Sequence, residues 1–222
     1  MIITNKKIFD KVCRVMTSFC KKEKKTMNER MWHNRITVSK NFFVATDGRN
    51  MVIRDCSDCV DNKDNFSFPL DAKTAKESIT VDGLTIVVDG KETDMKDLEK
   101  QVPWERVVPG GKYIEKKIHF QKIPVIKYGD ESYVTFCNDK IVFYYNDDTE
   151  TTGFYGNVYL NDLLLDQCDI EEFSLPMKIF YKILHLSKDV VLRQYEVGYK
   201  PRVFIAGDYK VVCMPMNNLG TL

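Results

Sequence analysis

Phe68-Pro69-Leu70-Asp71-Ala72-Lys73 and Phe173-Ser174-Leu175-Pro176-Met177-Lys178 are two related stretches of this 222-residue chain, 105 residues apart. Phe, Leu and Lys are in register, and each copy is followed by a helical pattern and then an apolar strand. A weaker echo relates residues 36–38 to residues 134–136 at an offset of 98. The repeat predicts two similar units of about 110 residues each. The alternative is two unrelated α+β domains that share a common helix-start pattern.

Length and composition are those of an ordinary globular protein, with 44% apolar and 29% charged residues. Apolar runs such as Ile141–Tyr145 are far shorter than the roughly 20 residues of a membrane-spanning helix. The amino-terminal segment is amphipathic and not uniformly apolar, which favours a cytoplasmic protein over a secreted one. Seven cysteines, an odd number, favour reduced thiols in that compartment.

Three predicted helices carry basic residues on the face opposite their apolar residues. Residues 6 to 20 form the clearest helix, with Ile8, Val12, Val15, Met16 and Phe19 on its apolar face. A second, shorter helix is expected from Leu70 to Ile79, and a third begins near Ser174, which can cap it. The basic residues on these faces are Lys7, Lys11, Arg14, Lys21, Lys22, Lys25, Lys73, Lys76, Lys178 and Lys182.

Net charge is only +1, so the acidic residues that balance these faces must lie elsewhere in the chain. Lysine-rich helix faces of this kind suit sequence-independent binding to a phosphate backbone. Taken singly, each such face is also typical of a helix that is merely solvated.

Signatures of catalysis and metal binding are weak. The three histidines are far apart in sequence, and no nucleophile signature surrounds any of them. Cys56-Ser57-Asp58-Cys59 has the spacing of half a zinc site, but a structural site needs four ligands. Pro109-Gly110-Gly111-Lys112 lacks the spacing of a phosphate loop and reads as a linker between units 1–108 and 109–222. We therefore expect no metal or cofactor and no enzymatic activity, with a nucleic-acid-processing role for Asp47 or the cysteine pair as a minor alternative.

Three further segments resemble the bacterial DNA polymerase III beta subunit, the sliding clamp: Val44–Met51, Pro103–Pro109 and Val211–Met216. The first contains the family's Thr-Asp-Gly turn, the second resembles its interdomain connection, and the third contains its near-terminal Met-Pro-Met. Their order and spacing also match, and the resemblance covers the whole chain as the family's second and third domains.

The resemblance implies an α+β DNA clamp fold, in which two similar β-rich domains each carry helices on one side of antiparallel sheets. It also implies a ring around duplex DNA, formed by three two-domain chains, with the basic helix faces toward non-specific DNA. Partners would be a clamp loader, a DNA polymerase and other proteins whose peptides bind a groove. The implied groove residues are Thr46, Gly48, Arg49, Met51, Pro103, Arg106, Val107, Val212, Met214, Pro215 and Met216.

Three residues depart from the family's pattern. Asn50 and Asn217 stand where the family usually has basic residues, so a groove of different charge is expected. Pro124 disfavours a long helix between residues 116 and 132, where the family has one. The competing interpretation is a clamp-like module that binds replication peptides without encircling DNA.

Overall fold

The computed structural model describes ten ranges of the chain: residues 1–20, 35–70, 75–82, 85–94, 104–120, 132–137, 140–146, 152–159, 171–195 and 201–215. These residues fall into two compact units, Met1–Val107 and Val108–Leu222. Among the described residues, no helix has both the length and the apolar character needed to cross a membrane.

The first unit contains two helices and nine strands in its described part. In chain order they are β1 (Ile2–Ile3), α1 (Lys6–Phe19), β2 (Arg35–Ser39), β3 (Phe42–Thr46), β4 (Asn50–Asp55), β5 (Val60–Asp61), β6 (Asn65–Pro69), β7 (Ile79–Asp82), β8 (Thr85–Val88), β9 (Lys91–Asp94) and α2 (Trp104–Val107).

Helix α1 covers an antiparallel sheet with strand order β4-β3-β2-β6. Its buried residues recur at helical spacing, because Phe9, Val12, Cys13, Met16 and Phe19 all face the sheet. The rings of Phe9 and Phe43 meet edge to face, with centroids 6.2 Å apart. Full burial of each such aromatic side chain stabilises the unit by about 2–3 kcal/mol.

A second antiparallel sheet follows in the order β7-β8-β9, and β1 lies beside β7 through the bridge from Ile2 to Ser78. Asp89 and Gly90 connect β8 to β9 with φ angles of 49° and 76°. Positive φ at both central residues is the requirement of the two-residue hairpin turn that the Asp-Gly pair favours.

The second unit contains one helix and eight strands in its described part. They are β10 (Tyr113–His119), β11 (Tyr133–Phe136), β12 (Lys140–Asn146), β13 (Thr152–Tyr159), β14 (Phe173–Pro176), α3 (Met177–Leu186), β15 (Asp189–Tyr195), β16 (Arg202–Ala206) and β17 (Tyr209–Cys213).

Phenylalanines form the core of this second unit. The rings of Phe136 and Phe173 stack at 4.8 Å, and Phe180 of α3 packs edge to face on Phe120 and Phe143. Phe204 of β16 contacts Phe136 at 5.8 Å. The aromatic cluster therefore ties α3 to both sheets of the unit, β13-β12-β11-β14 and β10-β15-β16-β17.

The same strand order occurs twice. The order β4-β3-β2-β6 in the first unit corresponds to β13-β12-β11-β14 in the second, and β1-β7-β8-β9 corresponds to β10-β15-β16-β17. Strand β5, which pairs with β1, has no counterpart among the described strands of the second unit. The repeat read from the sequence is therefore a repeat of topology.

Strand pairing corrects the register of that repeat. Val38 pairs with Phe66, and its counterpart Phe136 pairs with Phe173. Phe173 thus corresponds to Phe66, two residues before the Phe68 that the sequence comparison matched to it. The mismatch arises because side chains alternate with a period of two along a strand, so a shift of two residues keeps the buried face buried.

Two predicted helix features are wrong. The helix expected from Leu70 to Ile79 does not reach its end, because Ile79 begins β7 and pairs with Val88. Lys76 therefore does not lie on a helix; its backbone N–H donates to the Asp89 carboxylate at 2.9 Å. Ser174 does not cap α3, since it lies in β14 and its hydroxyl is hydrogen-bonded to Thr135 at 2.8 Å.

Several other predicted features lie outside the described residues. They include residues 71–74 of the second expected helix and the segment around Pro124.

Candidate functional site

Helix α1 carries a row of cations on its solvent face. Asn5 is the N-cap of this helix, and its side chain accepts the Ile8 N–H at 3.3 Å. Lys7, Lys11 and Arg14 are exposed and follow each other at intervals of four and three residues, a row about 10 Å long. We call these three residues the α1 cation row.

The α1 cation row is not neutralised by its own helix. Asp10 is the only acidic residue in α1, and its carboxylate forms an ion pair with Lys6. Within the described ranges, no ion pair involves Lys7, Lys11 or Arg14. The row can therefore attract phosphate without first breaking a salt bridge.

Helix α3 presents a smaller basic face in the second unit. Lys178 is exposed and Lys182 is half-buried, while Ile179, Phe180 and Ile183 are buried. His185, which the sequence analysis did not select, is also exposed, one helical period after Lys182 and two after Lys178. The interval of seven residues from Lys178 was the signal that would have identified it.

The remaining predicted DNA-binding residues are not on a described helix. Lys76 is exposed in a bend before β7, and Lys21, Lys22, Lys25 and Lys73 lie outside the described residues.

Among the proposed groove residues, one group lies in the turn between β3 and β4, which hydrogen bonds hold rigid. The Thr46 hydroxyl donates to the Asn50 carbonyl at 2.7 Å and accepts the Gly48 N–H at 3.0 Å. The Asp47 carboxylate accepts the N–H groups of Arg49 and Asn50 at 2.9 and 2.7 Å. Gly48 has a φ of 91°, which only glycine adopts without strain.

This turn projects Arg49 into solvent while Thr46 and Met51 are buried. Asp47 also accepts from the Asn50 side-chain amide at 3.1 Å. A carboxylate saturated by its own turn is a structural group, which argues against the catalytic alternative for Asp47.

A second group of proposed groove residues is in α2. Arg106 and Val107 are exposed, and Trp104 packs on Phe42 of β3 with ring centroids 5.4 Å apart. The sequence analysis did not assign a role to Phe42 or Trp104. Their contact fixes a helix of only four residues, so it positions Arg106 and Val107. Pro103 lies outside the described residues.

The last group follows the end of β17. Val212 is buried in the strand, whereas Met214 is 44% exposed and Pro215 is half-buried. Met216 and Asn217 lie outside the described residues. An exposed methionine offers an adaptable apolar contact for a partner side chain.

Cys56 and Cys59 are buried in the turn after β4. Burial raises the pKa of the Cys56 thiol, and the hydrogen bond from Arg54 lowers the pKa of Asp58. Within the described part of the chain, no cluster of three or more His, Cys, Asp or Glu side chains could hold a metal ion.

The chain has the fold of a sliding clamp, which confirms the predicted fold class. DNA polymerase III subunit beta from Borrelia burgdorferi, solved in complex with a natural product, is 15% identical with a TM-score of 0.68. The match covers 99% of this chain and 63% of that one. The subunit from Pseudomonas aeruginosa is 13% identical with a TM-score of 0.68, over 97% and 66% of the two chains.

The Helicobacter pylori beta clamp, solved with a DNA ligase peptide, is 14% identical with a TM-score of 0.66, over 98% of this chain and 65% of that one. This chain therefore spans just under two thirds of the length of the clamps it resembles. No known protein-family profile matches the chain, and no curated protein matches it in sequence.

Proposed function

We propose that this protein is a DNA sliding clamp, a non-enzymatic processivity factor that encircles duplex DNA and tethers replication proteins to it. The observation that carries the proposal is the α1 cation row on a clamp fold. Three exposed cations with no carboxylate partner in their helix form a surface for a polyanion. Each chain contains two compact units.

A ring explains why flexible lysines suffice for this role. Lysine contacts to phosphate depend on counterion release and read no base edges, so they are weak at physiological salt and independent of sequence. A closed ring keeps the protein on DNA by topology, so weak contacts hold the duplex without fixing its position. Lys178 and Lys182 of α3 extend the same chemistry to the second unit.

We infer a ring of three chains. The resemblance to the clamp family implies six similar units in a closed ring, and each chain provides two. Closed cyclic symmetry uses the same interface between every pair of neighbours. Entry of DNA into a closed ring then requires a clamp loader.

The partner site is proposed from the groups described in each unit. Gly48, Arg49, Arg106, Val107, Met214 and Pro215 offer backbone, cationic and apolar contacts, while the buried Thr46, Met51 and Val212 support them. Pro103 and Met216 complete the set by sequence. This mixture suits a linear peptide with apolar anchors and an acidic or carbonyl group, such as one from a DNA polymerase.

Solution mass and topology test the proposal. We expect a mass three times the chain's 25.9 kDa at micromolar concentration. After loading by the clamp loader of its own replisome, the protein should stay on a nicked circular plasmid and leave when a restriction enzyme linearises the plasmid. A stable monomer that binds a polymerase peptide but is not retained on the circle would instead identify the clamp-like module that never encircles DNA.

A further inference from the structure

The turn after β4 brings two cysteines together. The Cys59 N–H donates to the Cys56 carbonyl at 2.9 Å, and the Val60 N–H donates to the same carbonyl at 2.9 Å. A four-residue turn closed in this way holds its end Cα atoms within about 7 Å, the upper limit for a disulfide. Both side chains are fully buried, and Cys56 Sγ donates to the Arg54 carbonyl at 3.7 Å.

A guanidinium group lies against this thiol pair. Arg54 Nη1 donates to Cys56 Sγ at 3.6 Å, and the same guanidinium binds Asp58 through two bonds of 2.8 and 2.7 Å. The hydrogen bond from Cys56 lowers the pKa of the Cys59 thiol, whereas burial raises the pKa of Cys56. Cys59 is therefore suited to attack an oxidant first, and Cys56 is suited to attack the mixed disulfide that results.

The same turn holds the start of α1. The Cys59 carbonyl accepts the N–H groups of Thr4 and Asn5 at 3.0 and 3.2 Å, and Asn5 is the residue that caps α1. Ile3 pairs with Val60 immediately beside it. A change in the stiffness of the cysteine turn therefore reaches the first turn of the helix that carries the α1 cation row.

We propose that Cys56 and Cys59 form a reversible dithiol–disulfide site whose oxidation stiffens the anchor of α1. This inference does not depend on DNA binding or on ring formation. It uses a cysteine motif whose metal and catalytic interpretations find no support in the described residues.

The oxidant is a low-molecular-weight disulfide, R–S–S–R, such as glutathione disulfide. The Cys59 thiolate attacks one sulfur of the oxidant, the R–S–S–R bond breaks, and the first RS⁻ leaves and takes a proton from solvent. Cys56, after losing its proton to solvent, attacks Cys59 Sγ of the mixed disulfide and releases the second RS⁻, which is protonated to RSH. The dithiol loses two electrons and the oxidant gains them. Because both thiols are buried, the reaction requires transient local opening of the structure around the turn.

Intact mass and peptide mapping of the full chain test the site. After treatment with glutathione disulfide, we expect a mass decrease of about two hydrogens, loss of two of the seven thiols, and a disulfide-linked peptide that contains Cys56 and Cys59. Dithiothreitol should restore both thiols. A stable glutathione adduct on the wild-type chain, a bond to any other cysteine, or retention of all seven thiols would overturn the site.

Variants separate the roles of the two sulfurs. Cys56→Ser should accumulate the mixed disulfide at Cys59, whereas Cys59→Ser should abolish bond formation in this turn. Cys137→Ser is the matched control, since Cys137 is half-buried in the second unit and its removal should leave the reaction unchanged. The wild-type mapping decides the proposal even if a serine variant fails to fold.

Hydrogen exchange tests the coupling to α1. A disulfide that closes a four-residue loop restricts opening of the turn, so the Thr4 and Asn5 amides should exchange at most about twentyfold more slowly in the oxidised protein. Amides of α3 provide the internal control and should not change. Equal rates for Thr4 and Asn5 in both redox forms would refute the stiffening, even with the bond present.

Discussion

Replacement of Lys11 and Arg14 by glutamine is the sharpest test of the α1 cation row. Both side chains are exposed, and glutamine keeps their polarity and helix propensity while it removes two positive charges. The buried face of α1, which includes Phe9, Val12 and Met16, is unchanged, so the helix should fold normally. The expected change is confined to DNA binding.

The magnitude follows from the two contacts removed. Each lysine or arginine that contacts a phosphate contributes about 0.9 to the slope of log affinity against log salt concentration. Loss of two contacts lowers that slope by about 1.8. We take the wild type and the variant to bind DNA equally at 1 M salt, where counterion release contributes nothing. At 0.1 M salt the variant should then bind roughly 60-fold more weakly than the wild type, a difference of about 2.4 kcal/mol.

Fluorescence anisotropy with a short labelled duplex, from 50 to 200 mM salt, measures both quantities. Lys63→Gln with Lys91→Gln is the matched control, because these lysines of the same unit are also exposed and are not part of α1. If the control lowers the slope as much as the test variant, general net charge explains binding and the α1 assignment is wrong. An unchanged slope in the test variant leads to the same rejection.

Three further variants test the core, the partner site and a partly buried ion pair. Phe180→Ala should destabilise the second unit by about 3–5 kcal/mol in urea unfolding, because the ring fills the centre of its phenylalanine cluster. Met214→Ala with Met216→Ala should weaken binding of a polymerase peptide about tenfold or more in calorimetry without change in solution mass; unchanged affinity would reject the partner site. Asp58→Asn should cost about 1–3 kcal/mol, because it leaves the buried Arg54 guanidinium without its anion, and the half-exposed carboxylate limits the loss. The Arg54 hydrogen bond lowers the pKa of Asp58 in the folded state. The stability that this pair gives the wild type is therefore present above about pH 4 and is lost as the pH falls through the lowered pKa. The Asn variant should lack this loss of stability in acid.

Long periodic segments were the part of the fold that the sequence predicted best. Helix α1 was expected from residue 6 to 20 and runs from Lys6 to Phe19, because an apolar stripe at helical spacing has only one face to bury. The Asp89-Gly90 turn carries a similarly strong local signal, since few residue pairs adopt two positive φ angles at low cost.

Short segments were less predictable because local signals compete with strand pairing. Ile79 has helical spacing from Leu70 and Ala75, yet its β-branched side chain is buried when it pairs with Val88 in β7. Ser174 is a strong cap residue, but in β14 its hydroxyl finds Thr135. In both places a long-range partner, invisible in the local sequence, provides more burial or hydrogen bonding than the helix end would.

The candidate site was only partly readable from sequence. The resemblance proposed Thr46, Gly48 and Arg49 through the Thr-Asp-Gly turn, whose hydrogen bonds are local. Phe42 and Trp104 were missed because their contact joins residues 62 positions apart and follows no short motif. The proposed groove residues also differ in burial, which the sequence did not predict. Met51 is buried, whereas Arg49, two positions earlier, is exposed.

The two halves show why this fold persists at 12–15% identity to known clamps. Val38 opposite Phe66 becomes Phe136 opposite Phe173 in the second unit, so the pairing is retained while the side chains change. What each position requires is buried apolar volume, and many residues supply it. The fold makes no such demand on the solvent face of α1, where any polar residue would serve. Three cations lie there at intervals of four and three residues, and the one acid of the helix is already paired. Folding does not require this arrangement, which is why we propose it as the DNA-facing surface and test it with the Lys11 and Arg14 variant.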